Sequence, residues 1–305
     1  MKAGLIFNPT AGGGRAASTA VEARAHLEQH GVELEVRSTN EPREATFIAD
    51  ELAAEVDAMI VVGGDGTVNE VINGLVGHDI PLGIVPAGTV NVLALELGIP
   101  FNVHKACDII AGDHRIAFDL GRVDGRRFIL MVGVGLDALT IRELDLRAKQ
   151  RYRELAFVWT GLRSYIRHPP LEFSVLIDGE RYTATYAVVG NTRYYGGRFG
   201  VTPRADPTDG LFDILLHTDR GFGPTAAFWA GVPLGLHVHS PGVTYLRGRH
   251  VAFEAPEEGI VWFQTDGELA GRLPAVVEIE PRALEILVGA DGGRWAAGHP
   301  PLSAG

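Results

Sequence analysis

Several kinds of residue are scarce in this chain of 305 residues, and each shortage excludes a class of protein. Cys107 is the single cysteine, which excludes an intrachain disulfide and a zinc site built from several cysteines. Lys and Arg number 27 against 38 Asp and Glu, and the net charge of −11 argues against a general nucleic-acid-binding protein. No apolar run approaches the roughly 20 residues of a transmembrane helix, and the run at 3–7 is too short for a signal peptide. We therefore expect a cytoplasmic protein that meets a membrane only at its surface.

Two halves of different character follow one another along the chain. Up to about residue 120, short apolar runs that fit buried strands alternate with helical patterns, whereas from about Gly121 strand-like runs and turn residues predominate. This order predicts an N-terminal α/β domain with a parallel sheet over residues 1–121, and a mostly antiparallel β-sandwich over residues 122–289. We expect a helix over about residues 139–168 to interrupt the sandwich, and residues 290–305 to form a flexible tail.

The boundaries of the expected elements follow from the apolar runs and the turn residues between them. In the first domain we expect strands at 4–8, 33–38, 58–62 and 81–85, and helices at 18–30, 42–55, from the cap Thr67 to near 77, and 91–97. In the second domain we expect strands at 128–132, 173–177, 182–189, 212–217, 250–254, 261–265, 276–281 and 284–287. Asp-Gly pairs are expected to turn the chain at 178–179, 209–210 and 266–267.

The segment at residues 58–73, which reads AMIVVGGDGTVNEVIN, carries the strongest functional signal. Its buried strand ends in three glycines with one aspartate among them: Gly63, Gly64, Asp65 and Gly66. Glycine allows a tight turn and the close approach of a bulky group, and a glycine turn before a helix capped by Thr67 suits a phosphate. Asp65 would repel phosphates unless a cation lies between them, so the segment predicts a nucleotide site with Mg²⁺ at Asp65. The alternative is a plain glycine-rich turn, and the loop fits neither a Walker A motif nor a dinucleotide fingerprint.

Further polar residues follow the other predicted strands of the first domain. The loop after the first strand contains three consecutive glycines and Arg15, which suits a mobile flap over phosphates with Arg15 as their charge partner. Its alternative is a flexible loop with a solvated arginine. Thr39 follows the second strand, and Thr89 and Asn91 follow the fourth, where they would hold a ribose or phosphates, although Thr89 could instead cap a helix. Because carboxyl ends of parallel strands share one sheet edge, we expect all these residues beside the glycine loop.

Two acidic segments stand out in the second half. The six residues from Asp206 to Leu211 hold two carboxylates and several carbonyls, which could bind a hard cation, although an ordinary turn is the favoured interpretation. Asp266 and Glu268 flank a glycine in an expected hairpin turn. A carboxylate beside a phosphate-binding cleft could also accept a proton from a substrate hydroxyl.

The segment from Arg147 to Arg167 reverses the charge of the chain locally. It carries six basic residues against the single acidic residue Glu154, with aromatic and aliphatic residues between them. A basic amphipathic helix of this composition suits an anionic membrane surface, where each well-placed basic residue contributes on the order of 1 kcal/mol. The alternative is a helix that packs on the core and presents a solvated basic face.

Together these motifs resemble the bacterial diacylglycerol kinase-like lipid kinases, which share a catalytic domain with sphingosine kinases. The resemblance covers residues 2–289. It is carried by Asn8-Pro9 and the glycines after it, by residues 63–70 (GGDGTVNE), 86–91 (PAGTVN), 97–100 (LGIP), 195–197 (YGG), Asp209-Gly210 and 266–268 (DGE). The GGDGTVNE and PAGTVN motifs are the most specific of these.

The resemblance implies a kinase that uses ATP and Mg²⁺, with ATP on the NAD kinase/diacylglycerol kinase-like α/β domain, the lipid on the sandwich, and a cleft where they meet. Asp266 or Glu268 matches the proposed general base, and Asp65 is a further catalytic residue. A structural or regulatory Mg²⁺ site matches Asp206, Asp209 and Leu211, partly through backbone carbonyls. Nucleotide contacts are implied for Asn8, Thr10, Arg15, Thr39, Gly63, Gly64, Asp65, Gly66, Thr67, Asn69, Glu70, Gly88, Thr89 and Asn91.

Three positions depart from the family pattern. Glu44 stands where histidine is frequent, Arg15 where lysine is common, and Val90 where a small residue is frequent, which could alter the affinity for nucleotide or its choice. An NAD kinase would share the glycine-Asp loop but fits residues 86–91 less well, and a non-catalytic lipid- or nucleotide-sensing module is a second alternative. The sequence leaves open which lipid is phosphorylated and the oligomeric state, with a homodimer among the alternatives.

Overall fold

A computed structural model describes residues 1–143 and 170–290, which divide into two compact units. The first unit contains Met1–Leu120, Gly196–Arg198 and the described residues from Glu280 onward, and the second contains the described parts of Gly121–Tyr195 and Phe199–Ile279. The predicted boundary after residue 121 therefore lies one residue from the observed one. The predicted second domain extended to residue 289, whereas the structure returns the chain to the first unit at Glu280.

The first unit alternates strands and helices, as the sequence predicts. Its elements are β1 (Lys2–Phe7), α1 (Ala11–Gln29), β2 (Glu33–Ser38), α2 (Glu44–Ala53), β3 (Ala58–Gly63), α3 (Asp65–Gly74), β4 (Leu82–Pro86), α4 (Val92–Leu97), α5 (Val103–Ala111) and most of β5 (His114–Val123). Every residue of β3 is buried, which explains its continuous apolar sequence. α1 buries Ala16, Ala20, Ala23 and Leu27, a spacing that forms one apolar stripe along the helix.

The sheet of the first unit is parallel, in the order β2-β1-β3-β4, and the last residues of β18 (Ala275–Val288) pair beside β4. β1 pairs with β2 and β3, and β3 pairs with β4, all in parallel register. Helices therefore have to cross over between neighbouring strands. The predicted α/β class of this unit is confirmed.

The second unit is built mainly from antiparallel strands. Its elements are β6 (Arg126–Phe128), β7 (Met131–Val134), α6 (Leu136–Glu143), β8 (Phe173–Ile177), β9 (Glu180–Ala184), β10 (Tyr186–Gly190), β11 (Tyr194–Tyr195), β12 (Phe199–Gly200), β13 (Phe212–His217), α7 (Phe222–Gly231), two 3₁₀ turns (Val232–Leu234, His237–His239), β14 (Val243–Gly248), β15 (His250–Phe253), β16 (Trp262–Thr265), β17 (Glu268–Arg272) and the start of β18.

Two antiparallel layers enclose the core of the second unit. One layer has the strand order β14-β13-β10-β7-β16-β17, and the other joins the start of β18 to β15, β8 and β9. Alternate residues of these strands, among them Phe173 and Val175 on β8 and Ile214 and Leu216 on β13, enter one buried apolar cluster. The predicted β-sandwich is confirmed.

Several boundaries differ from those expected. The predicted strand at 182–189 is interrupted at Thr185, whose hydroxyl donates to the backbone oxygens of His217 and Asp219. The two strands predicted at 276–281 and 284–287 form one strand, in which the Arg282 amide donates to Asp119 at 2.7 Å. The helix expected at 139–168 begins at Leu136, and its course beyond residue 143 lies outside the described residues, as does the basic segment from Arg147 to Arg167.

Within the described parts of the chain, no helix combines the length and apolar character needed to cross a membrane. The predicted tail at 290–305 lies almost entirely outside the described residues.

Candidate active site

The parallel strands of the first unit bring four polar segments to one edge of the sheet. Phe7 lies beside Ser38 and Val62 in the register, and Gly63 lies beside Pro86. The segments that follow β1, β2, β3 and β4 therefore leave the sheet at the same edge. The structure places the predicted strand-end residues there, as the sequence analysis expected.

The helix after the glycine loop starts without a side-chain cap. α3 begins at Asp65, and its N-cap Gly64 has extended backbone and offers no side-chain acceptor. Thr67, which we predicted as the cap, is the third residue of the helix, so that prediction is wrong. The N-cap thus supplies no side-chain oxygen to the first-turn amides of α3, and only the Asp65 amide has a carboxyl partner, its own, among the contacts that shift the Asp65 pKa. Helix-start amides without a cap attract an anion.

The glycines of this loop serve close packing instead of an unusual turn. Gly63, Gly64 and Gly66 do not have positive φ, so the short turn from β3 to α3 depends on the missing Cβ atoms and not on left-handed backbone. A Cβ on Gly63 would lie 2.8 Å from the Cβ of Thr67, and a Cβ on Gly88 would lie 2.5 Å from the Cα of Gly64. Glycine at these positions lets the β3–α3 and β4–α4 loops touch through their backbones.

The loop after β1 is where left-handed backbone occurs. Gly12, Gly13 and Gly14 have φ values of 61°, 72° and 93°, so the regular part of α1 begins at Arg15, earlier than predicted. A Cβ on Gly12 would lie 2.1 Å from the carbonyl oxygen of Ala87, which means that this loop rests on the β4–α4 loop. The exposed Arg15 donates through Nε to the Gly12 oxygen at 3.0 Å.

The Asn8 side chain stabilises the turn that precedes the glycines. Its Oδ1 accepts from the amide of Thr10 at 3.0 Å and from the Thr10 hydroxyl at 2.8 Å. These contacts form an Asx-type turn at the end of β1. Asn8 therefore shapes the loop, whereas the exposed Thr10 lies on its outer side.

Asp65 joins two of the loops by capping a second helix. Its Oδ2 accepts from the Val92 amide at 2.9 Å and its Oδ1 from the Leu93 amide at 3.0 Å, at the start of α4. Burial raises the pKa of the Asp65 carboxyl, and the amides of Leu93 and Val92 oppose that rise. An ionised carboxylate offers about four lone-pair positions, so this arrangement still fits the predicted cation at Asp65.

The β4–α4 loop is closed by Asn91, which has left-handed backbone. The Asn91 side chain accepts from the Gly88 amide at 2.9 Å and donates to the Gly88 oxygen at 3.1 Å. Thr89 stands exposed at the loop tip, and the helix begins only after Asn91, so Thr89 is not its cap. The Thr89 hydroxyl is therefore accessible to a ligand.

The remaining predicted nucleotide contacts differ in accessibility. Thr39, Thr67 and Asn69 are buried, and the Thr39 amide continues the sheet by donating to Phe7 at 3.0 Å. Glu70 accepts from the Arg43 amide at 3.0 Å and so fixes the start of α2. Thr39, Thr67, Asn69 and Glu70 therefore belong to the structure beneath this edge of the sheet. The residues exposed at the edge are Thr10, Arg15, Gly66 and Thr89.

Three hairpins of the second unit share the same turn. Asp-Gly pairs at 124–125, 178–179 and 266–267 each join adjacent strands through two residues of positive φ, which defines a type I′ turn. The predicted turns at 178–179 and 266–267 are confirmed. Because the backbone is alike in all three, left-handed Asp266 is by itself no sign of a functional site.

The side chain of Asp266 distinguishes its hairpin. Its Oδ2 accepts from the amide of Ile129 at 2.8 Å, and its Oδ1 accepts from Leu130 at 2.8 Å and Met131 at 3.0 Å. Three amide donors hold this carboxylate rigidly between β6 and β7. Glu268 is exposed, and its Oε2 lies 3.6 Å from Nη2 of Arg126.

The acidic segment near residue 206 forms the turn that the sequence favoured. Asp206 Oδ1 accepts from the amide and the hydroxyl of Thr208, and Asp209 Oδ1 accepts from the Leu211 amide at 3.0 Å. The other oxygen of Asp209 pairs with Arg247 of β14. The Arg247 guanidinium thus occupies one carboxylate oxygen of Asp209, and that oxygen could bind the predicted Mg²⁺ only if Arg247 moved.

Sequence reasoning missed two buried carboxylates of the second unit. Asp213 has no exposed surface, lies 3.5 Å from Nε of Arg247, and burial raises the pKa of its carboxyl to about 6. Asp137 accepts from Gln264 Nε2 at 3.1 Å and from the Ala138 amide at 2.8 Å, and burial raises its pKa to about 7. The sequence around Asp213 did offer a signal, because the residue lies within a strongly apolar strand. Asp137 offered no comparable signal of burial.

A cavity of about 450 Å³ opens in the second unit. Its described lining is largely apolar and includes Leu136, Leu139, Leu171, Ile260 and Trp262. Arg142 lies over the Trp262 ring at 4.6 Å from its centroid. The volume falls in the range of small-molecule pockets.

The chain matches two family models that together span nearly its whole described length. Residues 2–123 match the diacylglycerol kinase catalytic domain, and residues 130–288 match the YegS C-terminal NAD kinase beta sandwich-like domain. The order of the two matched models agrees with the α/β first unit and the β-sandwich second unit.

Individual diacylglycerol kinases of other organisms are similar to this protein over nearly the full chain. A diacylglycerol kinase of Mycobacterium tuberculosis is 33% identical over 296 residues, covering 94% of both chains, and one of Bacillus subtilis is 29% identical, covering 90% and 91%. A crystal structure of a diacylglycerol kinase from Bacillus anthracis superposes with a TM-score of 0.78 at 27% identity, covering 95% of this chain and 98% of the other. The chain belongs to the bacterial diacylglycerol kinase family.

Proposed function

We propose that this protein is an ATP-dependent lipid kinase that transfers a phosphoryl group to a lipid hydroxyl of the diacylglycerol type. Family membership supports a lipid kinase. The observation that carries the ATP part of the proposal is the uncapped start of α3, enclosed by the close-packed loops after β1 and β4. Such a helix start, lined by glycine backbone, suits a triphosphate.

In this proposal the first unit binds ATP. The first-turn amides of α3 hold phosphate oxygens, and the exposed groups of Arg15 and Thr89 add charge and a hydroxyl at the same edge. Mg²⁺ bound with ATP at Asp65 would neutralise the negative charge on the phosphoryl oxygens. Asp65 also keeps α4 in place, so the β3–α3 and β4–α4 loops stay together when the nucleotide binds.

The second unit supplies the acceptor side of the proposed reaction. Asp266, or alternatively Glu268, accepts the proton of the lipid hydroxyl while the phosphoryl group moves from ATP to that hydroxyl oxygen and ADP leaves. Phosphoryl transfer passes through a loose transition state, so a rigid, correctly aimed carboxylate matters more than a strong base. The three amides that fix Asp266 provide that rigidity, and the apolar cavity of about 450 Å³ suits part of an acyl chain.

Two alternatives make different predictions about the phosphate acceptor. The description of the matched sandwich model includes NAD kinases, so phosphorylation of NAD is the first. The second is a module that senses lipid or nucleotide without catalysis. Labelled ATP should therefore be offered with diacylglycerol, a sphingoid base, a lipid-linked alcohol and NAD, each in separate reactions with Mg²⁺.

Asp178 provides a matched control for a test of Asp266. Both residues open an Asp-Gly type I′ turn in the same unit, and the Asp178 carboxylate also accepts from backbone amides, those of Arg249 and His250. If Asp266 acts on the substrate, Asp266→Asn lowers lipid phosphorylation by about 10²–10⁴-fold, whereas Asp178→Asn changes it by less than a few-fold. Urea denaturation of both variants separates this effect from lost stability.

The outcomes distinguish the alternatives. Labelled lipid that forms with the wild type but not with Asp266→Asn supports the proposal. The activity of Glu268→Gln then shows which of the two carboxylates is needed. Labelled NAD without labelled lipid would replace the proposal by an NAD kinase. Stabilisation by ATP without transfer to any acceptor would leave a sensing module.

We further propose that the protein works at an anionic membrane surface, which the basic composition of Arg147 to Arg167 supports. The protein should then co-sediment with vesicles that contain anionic lipid at low salt, and it should not co-sediment with vesicles of phosphatidylcholine alone. Equal sedimentation with both, or replacement of the six basic residues by glutamine without effect, would contradict this membrane contact.

A further inference from the structure

A cluster of metal-ligating side chains lies on the first unit, outside the loops described above. His26 and His30 are one turn apart on α1, and Asp108 lies on α5, which packs against α1 through the buried Cys107 and the Ala23 backbone. The ligand atoms of these three residues all lie within 4.8 Å of one another. We call His26, His30 and Asp108 the His–Asp cluster.

The spacing of the cluster matches what a single metal ion requires. Residues four apart on a helix project from the same face, so both imidazoles reach the same point beside α5. His26 Nε2 lies 2.7 Å and His30 Nε2 lies 3.7 Å from Asp108 Oδ1. Around tetrahedral zinc, with bonds of about 2.0–2.1 Å, ligand atoms are roughly 3.3 Å apart. Small shifts of the three side chains would therefore bring their ligand atoms to the spacing found around tetrahedral zinc.

The His30 ring is already oriented as metal ligands usually are, and the position of the His26 ring is fixed by stacking. Nδ1 of His30 lies 2.9 Å from the carbonyl oxygen of His26, so Nδ1 carries the proton and Nε2 presents its lone pair. The His26 ring is stacked on His104 of α5 at 4.6 Å between centroids and 7° between planes. A backbone acceptor and a stacked ring thus fix the two imidazoles that face Asp108.

We propose that the His–Asp cluster is a binding site for a divalent transition metal of the zinc class, which ties α1 to α5. Two imidazoles and one carboxylate suit Zn²⁺ and related ions, whereas Mg²⁺ prefers oxygen ligands and keeps much of its water. The site is therefore chemically distinct from the Mg²⁺ proposed with ATP. It does not depend on the protein being a kinase.

An ordinary surface ion pair is the competing explanation, and the same unit contains one for comparison. His78 Nε2 lies 2.9 Å from Oδ1 of Asp50, nearly the distance between His26 and Asp108. Within the described part of the chain, neither His78 nor Asp50 belongs to a group of three metal-ligating side chains. His78→Gln is therefore a matched control for the loss of one half-buried histidine from a His–Asp contact.

The test uses the full-length protein without a histidine tag, stripped of metal with a chelator that is then removed, and without nucleotide. Titration with ZnCl₂ in buffer that contains Mg²⁺, followed by calorimetry, should reveal one equivalent of bound zinc. His26→Gln and His30→Gln should each weaken that binding by about 100-fold or more, and His78→Gln should leave it unchanged. Zinc should raise the melting temperature of wild type and of His78→Gln only.

Cobalt gives a second readout. Co²⁺ in the wild-type site should produce visible absorption bands, which zinc abolishes and which are absent in His30→Gln. Failure of the wild type to bind zinc would overturn the proposal. So would zinc binding that is equal in wild type, His26→Gln and His30→Gln, because the ion would then occupy another part of the chain.

Discussion

Substitution of Gly12 by alanine tests whether the loop after β1 rests on the loop after β4. A Cβ at Gly12 would lie 2.1 Å from the carbonyl oxygen of Ala87, far inside van der Waals contact. The neighbouring Gly13 has a similar φ of 72°, but a Cβ there would meet nothing within 4 Å. The two substitutions therefore share the backbone strain and differ in the collision.

The expected magnitudes follow from these two terms. Alanine in left-handed backbone costs about 1–2 kcal/mol, and the reduced freedom of the unfolded chain returns about 0.4–1 kcal/mol. Gly13→Ala should therefore lower the free energy of unfolding by about 1 kcal/mol. Gly12→Ala has in addition to push the two loops apart, and forced shifts of this kind cost about 1–3 kcal/mol. We expect a total loss of about 2–4 kcal/mol for Gly12→Ala.

Urea denaturation followed by circular dichroism measures both losses against wild type. Nucleotide affinity provides an independent readout, because separated loops should bind ATP more weakly than a strained but seated loop. Equal stability of Gly12→Ala and Gly13→Ala would refute the reasoning, since the collision with Ala87 would then be absent in solution.

Three further predictions concern buried contacts. Asp65→Ala removes the acceptor of the Val92 and Leu93 amides, so urea denaturation should show a loss of about 2–3 kcal/mol, whereas a loss near zero would mean that Asp65 does not cap α4. Burial raises the pKa of Asp137 to about 7, so the folded protein holds this proton more tightly than the unfolded chain. The stability of the protein should fall as pH rises from about 4 to 7, by about 4 kcal/mol, and Asp137→Asn should flatten this slope. Gly133→Ala should cost more than about 3 kcal/mol, because its Cβ would lie 1.8 Å from Asp137 Oδ2, and a folded, fully stable variant would contradict the packing.

Elements with strong local signals could be predicted from the sequence. The strands Glu33–Ser38, Phe173–Ile177 and Phe212–His217 have the predicted bounds, because their apolar runs stand between clear turn residues. The helix α5 was missed, although its N-cap was visible: Asn102 Oδ1 accepts from the Lys105 amide at 3.0 Å. β14 was missed because its charged and half-exposed residues, such as Arg247, give no regular apolar pattern.

The candidate site divides in the same way. Residues at the ends of β1 to β4 could be gathered from sequence, because parallel strands align their carboxyl ends. The partners of their side chains could not. Asp65 finds the start of α4 27 residues later, Asp266 finds amides as many as 137 residues earlier, and Arg247 reaches Asp209 across 38 residues. Such pairings depend on tertiary packing that no local pattern encodes.

The pairing of Leu82 with Ile286 has a consequence for synthesis on the ribosome. The outer edge of β4 is covered by a strand that is made about 200 residues later. At roughly 5–20 residues per second, that edge stays open for roughly 10–40 s after β4 emerges. An open apolar edge can pair with other chains, so a nascent molecule of this protein is most vulnerable to aggregation, and most in need of a chaperone, during that interval.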